Sequence, residues 1–157
     1  MTLNTVYIAA SDELSVTSIT SLLESMSYSV SRFHDERSLF DNSARAQPRF
    51  LLIHDNFEQA SGNGFQVATD FASAFPETVI LALTNGQLDM ISRVRAAQAG
   101  CSGLLTFDAT AAELYAFLDD EYDFLHAPIS VLVVDDSPTD GFSTCRHLKK
   151  AGFEAKH

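Results

Sequence analysis

One aspartate stands at the end of a strongly apolar segment, where α/β proteins place reactive side chains. Residues 50–53 are all apolar, and His54 and Asp55 follow them. A strand that is apolar on both faces is typical of the centre of a parallel sheet, and such sheets bind ligands just beyond the carboxyl ends of their strands. Asp55 is therefore a candidate for chemistry at that edge, although a buried strand that simply ends in polar residues gives the same pattern.

Two further strand-like segments end in polar side chains of interest. Thr84 follows the apolar run at residues 78–83, and Asp135 and Asp136 directly follow the run at residues 131–134. A threonine at a strand end can also bond the local backbone through its hydroxyl. The pattern alone leaves a local and a functional role open for Thr84.

The elements that must position these side chains alternate between strand and helix. Strand-like patterns occur at residues 5–10, 28–33, 50–55, 78–83 and 103–107, and a segment with apolar residues at helical spacing follows each. Five such units with short connections predict a doubly wound parallel α/β sheet with helices on both faces. Because strands 1, 3 and 4 are the most apolar and should be central, we expect the flavodoxin-like strand order 2-1-3-4-5.

Local signals predict several helix ends. Asp35 can cap the second helix, and Thr110 and Glu113 form a capping-box pattern at the start of the fifth. Gly100 is a predicted C-terminal cap of the fourth helix. The apolar residues of that fourth helix are Leu88, Ile91 and Val94.

Charge is distributed unevenly along the chain. Residues 1–129 contain 17 acidic residues, six arginines and no lysine, whereas residues 130–157 contain four acidic and four basic residues. So acidic a surface disfavours binding to nucleic acid or to an anionic membrane, and we expect neither as a partner. The charge can equally serve only to keep the protein soluble.

The remaining composition indicates a cytoplasmic protein. Cys101 and Cys145, the two cysteines, have neither disulfide-framework nor metal-ligand spacing, which suits a reducing compartment. The N-terminus lacks the features of a signal peptide, and no apolar run approaches the roughly 18–20 residues of a membrane span. His34, His54 and His126 lie on separate predicted elements and indicate no metal cluster.

The beginning of the chain recurs near its end. An offset of 125 residues aligns the strand at residues 5–10 with that at residues 130–134 and places Asp135 and Asp136 opposite Ala10 and Ser11. The last 28 residues are too few for an independent domain. We therefore expect residues 1–124 to be one domain, 125–129 a linker and 130–157 the incomplete start of a second domain. Alternatively, this β-α unit completes another sheet in trans, because an unpaired strand is a liability.

The segment from Val131 to Pro138, with the sequence VLVVDDSP, resembles the opening of a receiver domain of two-component response regulators. Residues 1–124 resemble a whole receiver domain in element order and length. In that family two acids after strand 1 bind Mg²⁺, an aspartate ending strand 3 accepts a phosphoryl group, a hydroxyl ends strand 4 and a lysine ends strand 5. The resemblance implies that Asp55 is the phosphoacceptor and Thr84 the switch hydroxyl.

The resemblance has departures at positions that carry the family's chemistry. Ala10 and Ser11 stand where the acidic pair is expected, and Phe107 stands in place of the lysine. Mg²⁺ wants about six oxygen ligands with carboxylates among them, so Asp55 alone would make a weak metal site. We therefore expect a degenerate receiver, or pseudo-receiver, that binds no cofactor and is not phosphorylated by the usual route.

The alternative for this site is that Asp12 or Glu13 swings in to bind the metal and the first domain works weakly. In the second copy, Asp135 and Asp136 match the family's Mg²⁺-binding pair. The resemblance therefore implies Mg²⁺ as a cofactor of a complete second receiver, whose metal site is incomplete here.

The resemblance as a whole implies a non-enzymatic signal-transduction module of a tandem-receiver response regulator. Its first receiver would bind protein partners: a second copy of itself, a histidine kinase or phosphotransfer protein, or its own output domain. The faces of helix 4, strand 5 and helix 5 commonly serve this purpose in the family. Two alternatives remain, namely a working phosphoacceptor in a phosphorelay with Asp55 as the modified residue, and a flavodoxin-type cofactor binder. The second is disfavoured because no glycine-rich phosphate loop follows strand 1.

Overall fold

The first ten elements alternate strictly between strand and helix. They are β1 (Thr5–Ala9), α1 (Glu13–Ser25), β2 (Ser29–Phe33), α2 (Glu36–Arg45), β3 (Phe50–His54), α3 (Gly64–Ala74), β4 (Val79–Thr84), α4 (Met90–Gln98), β5 (Gly103–Thr106) and α5 (Ala111–His126). This computed structural model describes residues 5–11, 13–57, 63–126, 130–134, 137–150 and 154–156. The chain divides into two units, Met1–Glu121 and Tyr122–His157. Within the described residues, no helix combines the length and the apolar character that crossing a membrane requires.

The sheet of the first unit has the order β2-β1-β3-β4-β5, and all four strand pairings are parallel. This confirms the predicted fold class and strand order. Every residue of β3 and of β4 is buried, as the prediction of central strands apolar on both faces requires. The carboxyl ends of β1, β3, β4 and β5 consequently lie along one edge of the sheet.

Buried side chains cover both faces of this sheet, because successive residues of a strand point to opposite sides. One cluster contains Leu51 and Ile53 of β3 together with Leu39 of α2, Phe71 of α3 and Ala96 of α4. Helices α1 and α5 also contribute buried residues, namely Ile19, Leu23, Leu114 and Leu118. Each fully buried side chain of this size stabilises the fold by about 1.5–3 kcal/mol, so the strands are held firmly in register beneath their polar ends.

Helix caps fix where the helices begin relative to the sheet edge. Asp35, Asn63 and Asp89 each accept a hydrogen bond from the backbone N–H three residues further on, at 2.8, 3.2 and 2.7 Å respectively. The predicted capping box is confirmed, since the Glu113 carboxylate accepts from the Thr110 N–H at 2.8 Å. These backbone hydrogen bonds lower the pKa of Asp35, Asp89 and Glu113. Of these caps at helix starts, the sequence analysis predicted Asp35 and the Thr110–Glu113 capping box, but not Asn63 or Asp89.

A glycine allows α3 to begin directly against the end of β3. At Gly64, the first residue of α3, a Cβ would overlap the carbonyl oxygen of His54. Any other residue would therefore push the start of α3 away from the strand. This close approach positions the turn that carries Asp55.

The second unit contains β6 (Ser130–Leu132), α6 (Pro138–Lys150) and β7 (Glu154–Lys156). Strands β6 and β7 pair in parallel, with Ser130 opposite Glu154. A shift of 125 residues places α1 on α6 residue for residue and converts the β1–β2 register, Thr5 opposite Ser29, into this one. The unit therefore repeats the opening β-α-β of the chain. The sequence predicted β6 and α6 but not β7.

We expect Gly64→Ala to lower the free energy of unfolding by about 3 kcal/mol or more, because the added methyl overlaps backbone that cannot move alone. Ser73→Ala in the same helix is the matched control, since Ser73 is exposed and alanine favours helix. Urea unfolding of the two variants measures the difference. Equal stabilities would contradict the tight packing of α3 on β3.

Candidate functional site

Backbone hydrogen bonds hold Asp55 at the carboxyl edge of the sheet. Its N–H donates to the carbonyl of Leu83 at 2.9 Å, which continues the β3–β4 ladder one residue beyond the end of β3. Its carbonyl accepts from the N–H of Gly64 at 3.2 Å. Asp55 is thus fixed between the end of β4 and the start of α3, with its side chain directed to the neighbouring strand end.

The Thr84 hydroxyl donates a hydrogen bond to Oδ2 of Asp55 at 2.7 Å. The same oxygen of Thr84 accepts from the backbone N–H of Gly86 at 3.0 Å. Thr84 is buried, and a hydrogen bond to a charged group is among the stronger ones in proteins. The structure therefore joins the two candidate residues, and the same hydroxyl also bonds the local backbone, which is the local role that the sequence left open.

A histidine lies against the other carboxylate oxygen. Nε2 of His54 is 3.2 Å from Oδ1 of Asp55, and the two side chains are 6% and 24% exposed. Both atoms are buried, and their 3.2 Å approach is a close polar contact that lacks the geometry of a hydrogen bond. The His54 ring also packs edge-to-face on Phe107, with centroids 4.7 Å apart and planes at 88°. Both oxygens of Asp55 are consequently engaged within the protein.

Sequence reasoning missed this role of His54. Neighbouring residues in a strand point to opposite faces, so adjacency on β3 would have separated the two side chains. Asp55, however, lies in the turn after the strand, where that alternation no longer applies. The only available signal was the His-Asp dipeptide at a strand end, which does not predict side-chain direction.

The described residues do not provide a magnesium site around Asp55. Ala10 is buried and apolar, Ser11 is an exposed hydroxyl, and Phe107 contacts His54. No group of three or more histidine, cysteine or acidic side chains in the described part of the chain could hold a metal ion. Asp12 lies outside the described residues, and so does the side chain of Glu13.

The open side of Asp55 faces a polar cleft between α3 and α4. The cleft has a volume of about 560 Å³. Its lining comprises Asp55, Asn56, Asn63, Phe65, Gln66, Thr69, Arg95, Gln98 and Ala99. Arg95, a basic residue, thus lines the same cleft as the aspartate, and the sequence analysis did not predict this proximity.

The remaining two candidates, Asp135 and Asp136, lie outside the described residues. Their predicted place after β6 is therefore untested by the geometry. Nearby Val134, at the end of the apolar run, is 87% exposed.

The chain is similar in structure to response-regulator receiver domains. A Burkholderia pseudomallei response regulator with a phosphorylated aspartate, a calcium ion and citrate shares 16% identity, with 94% of this chain and 85% of that chain covered at a TM-score of 0.63. The receiver domain of a modulated diguanylate cyclase from Desulfovibrio desulfuricans G20 shares 21% identity, with 76% of this chain and 94% of that chain covered at a TM-score of 0.67. A beryllofluoride-activated NtrC4 receiver-domain dimer shares 13% identity, with 77% of this chain and 98% of that chain covered, also at a TM-score of 0.67.

No protein-family model and no curated protein matches the chain. At identities this low, the structural similarity concerns the fold alone. The chain therefore has the fold of a receiver domain, as the sequence resemblance implied.

We expect Thr84→Val to lower the free energy of unfolding by about 1.5–3 kcal/mol, because it removes a buried hydrogen bond to a carboxylate. Thr84→Ser keeps the hydroxyl and should cost only about 1 kcal/mol for the lost methyl group. Chemical denaturation of both variants makes the comparison. A valine variant no less stable than the serine variant would show that the hydroxyl contributes nothing.

Proposed function

We propose that the first unit is a receiver-type signalling module that binds protein partners without being phosphorylated. The observation that carries this proposal is the engagement of both Asp55 oxygens, Oδ2 by Thr84 at 2.7 Å and Oδ1 by His54 at 3.2 Å. A carboxylate that accepts a phosphoryl group must present a free oxygen in line with the donor. Here internal contacts compete for both oxygens.

Electrostatics support the same conclusion. Phosphoryl transfer depends mainly on positioning and on neutralising charge on the transferred group. Ala10 and Ser11 supply no carboxylate for a cation, and Phe107 supplies no ammonium group. One hydroxyl and one imidazole suit a single carboxylate charge better than the roughly doubled charge of a phosphate.

A docking face is available on α4. Its exposed apolar side chains are Met90, Ile91 and Val94, which are 74%, 64% and 45% exposed, and Leu88 precedes them at 37%. Exposed large apolar side chains close together on one helix are a feature of interaction surfaces. Tyr115 of α5 is also 55% exposed.

We assign a second copy of the chain as the occupant of this face. Helix α4 carries the exposed Arg93, whereas the sequence of α5 carries four acidic residues between positions 119 and 123. A two-fold pairing that sets α4 of one copy against α5 of the other would combine the apolar contact with opposite charges. The similar NtrC4 receiver domain was solved as a dimer.

The second unit supports a tandem arrangement. Its β-α-β repeats the start of the first unit at a constant offset of 125 residues, in helix bounds and in strand register. We propose that residues 1–124 are one receiver, 125–129 a linker and 130–157 the opening of a second receiver. Asp135 and Asp136 would be the Mg²⁺ ligands of that second receiver.

A second candidate function is a working phosphoacceptor in a phosphorelay. Arg95 favours it, because this side chain lines the same cleft as Asp55 and provides a cation there. Under this function Asp55 would be phosphorylated by a histidine kinase or phosphotransfer protein.

Beryllofluoride with Mg²⁺ distinguishes the two functions. We expect the wild type to show no saturable binding by NMR, since the described residues offer no site for the cation. A variant combining Ala10→Asp, Ser11→Asp and Phe107→Lys restores the family's charges and should bind, whereas adding Asp55→Asn to it should abolish binding. Saturable wild-type binding that Asp55→Asn removes would overturn the proposal and favour the phosphoacceptor.

Ile91→Glu tests the docking face. We expect the weight-average sedimentation coefficient of the wild type to rise with protein concentration. The variant should remain a monomer, because a charge interrupts the apolar contact. Gln98→Glu, an exposed position on the same helix that adds the same charge, should behave like the wild type. A monomeric wild type at every concentration would refute self-association through this face.

A further inference from the structure

A chain of contacts crosses the carboxyl ends of three adjacent strands. It begins with the Gly86 N–H, which donates to Thr84 at 3.0 Å, and continues with the Thr84 hydroxyl, which donates to Asp55 at 2.7 Å. It ends with Nε2 of His54, 3.2 Å from the second oxygen of Asp55, and with the ring of His54 packed on Phe107. This series of contacts connects the ends of β3, β4 and β5 to the segment that leads into α4.

The His54 side chain is held between the core and an aromatic ring. The residue is 5% exposed, and Phe107 fixes the plane of its ring. Oδ1 of Asp55 is fully buried at this point, and a buried carboxylate oxygen is costly without a donor or a positive charge beside it. The ring nitrogen of His54 occupies that position.

The orientation of the Asp55 carboxylate decides whether Thr84 can reach it. Rotation about the Cβ–Cγ bond would move Oδ2 away from the hydroxyl and Oδ1 away from the imidazole together. A contact on one oxygen therefore stabilises the contact on the other. The Gly86 N–H depends on the same hydroxyl, so the first residues after β4 respond to the state of the carboxylate.

We propose that His54 is a positioning residue that keeps the Asp55 carboxylate turned toward Thr84, so that the segment between β4 and α4 stays in its Thr84-bound arrangement without a phosphoryl group. The inference rests on the proposed function, because it explains how an unphosphorylated module maintains its α4 face. At the other end of that segment, Asp89 caps α4 through a 2.7 Å hydrogen bond. The segment is thus anchored both at the sheet edge and at the helix.

Gly86 is a direct reporter of this arrangement. In the full chain, we expect His54→Phe to accelerate amide hydrogen exchange at Gly86 by roughly tenfold, because the variant keeps an aromatic ring on Phe107 but removes the nitrogen beside Asp55. His54→Gln, whose amide nitrogen can reach the position of Nε2, should restore protection. Thr84→Val removes the acceptor of the Gly86 N–H and should leave that amide unprotected against hydrogen exchange. Unchanged exchange in His54→Phe, with increased exchange in Thr84→Val, would overturn the proposal.

A second measurement needs no variant. Nitrogen-15 chemical shifts of the His54 ring report which nitrogen carries a proton. We expect a proton on Nε2, which turns a donor toward Oδ1. An unprotonated Nε2 would direct a lone pair at the carboxylate and would refute the positioning role, even if His54→Phe failed to fold.

These results are separable from those of the beryllofluoride titration. Tight beryllofluoride binding together with a Gly86 response to His54→Phe would refute the proposed function and leave the role of His54 standing. Absence of beryllofluoride binding together with unchanged exchange at Gly86 in His54→Phe would support the proposed function and refute the role of His54.

Discussion

The carboxylate of Asp55 must be compensated within the protein, and the surrounding structure is arranged to do so. Its charge sits at the edge of a sheet whose core is mainly apolar, and the buried polar side chains nearby lie at the ends of β3 and β4. Thr84 donates a hydrogen bond to the carboxylate at 2.7 Å, and His54 covers the remaining oxygen. Both contacts require β3 and β4 to be in register, with the turn after β3 held by the start of α3. The tight approach at Gly64 and the continued ladder to Leu83 meet that requirement.

Under the proposed function, this mode of compensation accounts for the side chains around the site. A receiver that takes up a phosphoryl group needs several charges to balance it, which would conflict with a buried alanine at position 10 and a phenylalanine at position 107. A carboxylate that only accepts hydrogen bonds carries a single charge and needs far less. Ala10 can then join the core, and Phe107 can serve as packing for His54. The side chains at positions 10 and 107 therefore support the proposal of an unmodified first unit.

The edge of the sheet is connected to the surface of α4 by a short, anchored segment. Gly86 is bonded to Thr84 at its beginning and Asp89 caps α4 at its end. The apolar residues Met90, Ile91 and Val94 that follow are exposed, although Ala96 of the same helix is buried in the core. An amphipathic pattern predicted a helix there, but the pattern does not distinguish a face that packs on the sheet from one that awaits a partner.

The sequence by itself determined the five strands of the first sheet, their order and the position of Asp55. Continuous apolar runs bury both faces of β3 and β4 and force them to the centre of a parallel sheet. The sequence also indicated the repeat at an offset of 125 residues, since that depends only on local pattern. Strand β7 was missed because its Glu-Ala-Lys sequence has no strand preference and pairs only when β6 is beside it. The contact of His54 with Asp55 and Phe107 was decided by tertiary structure alone. It depends on side-chain direction in a turn and on a ring in the turn after β5, more than 50 residues later in the chain.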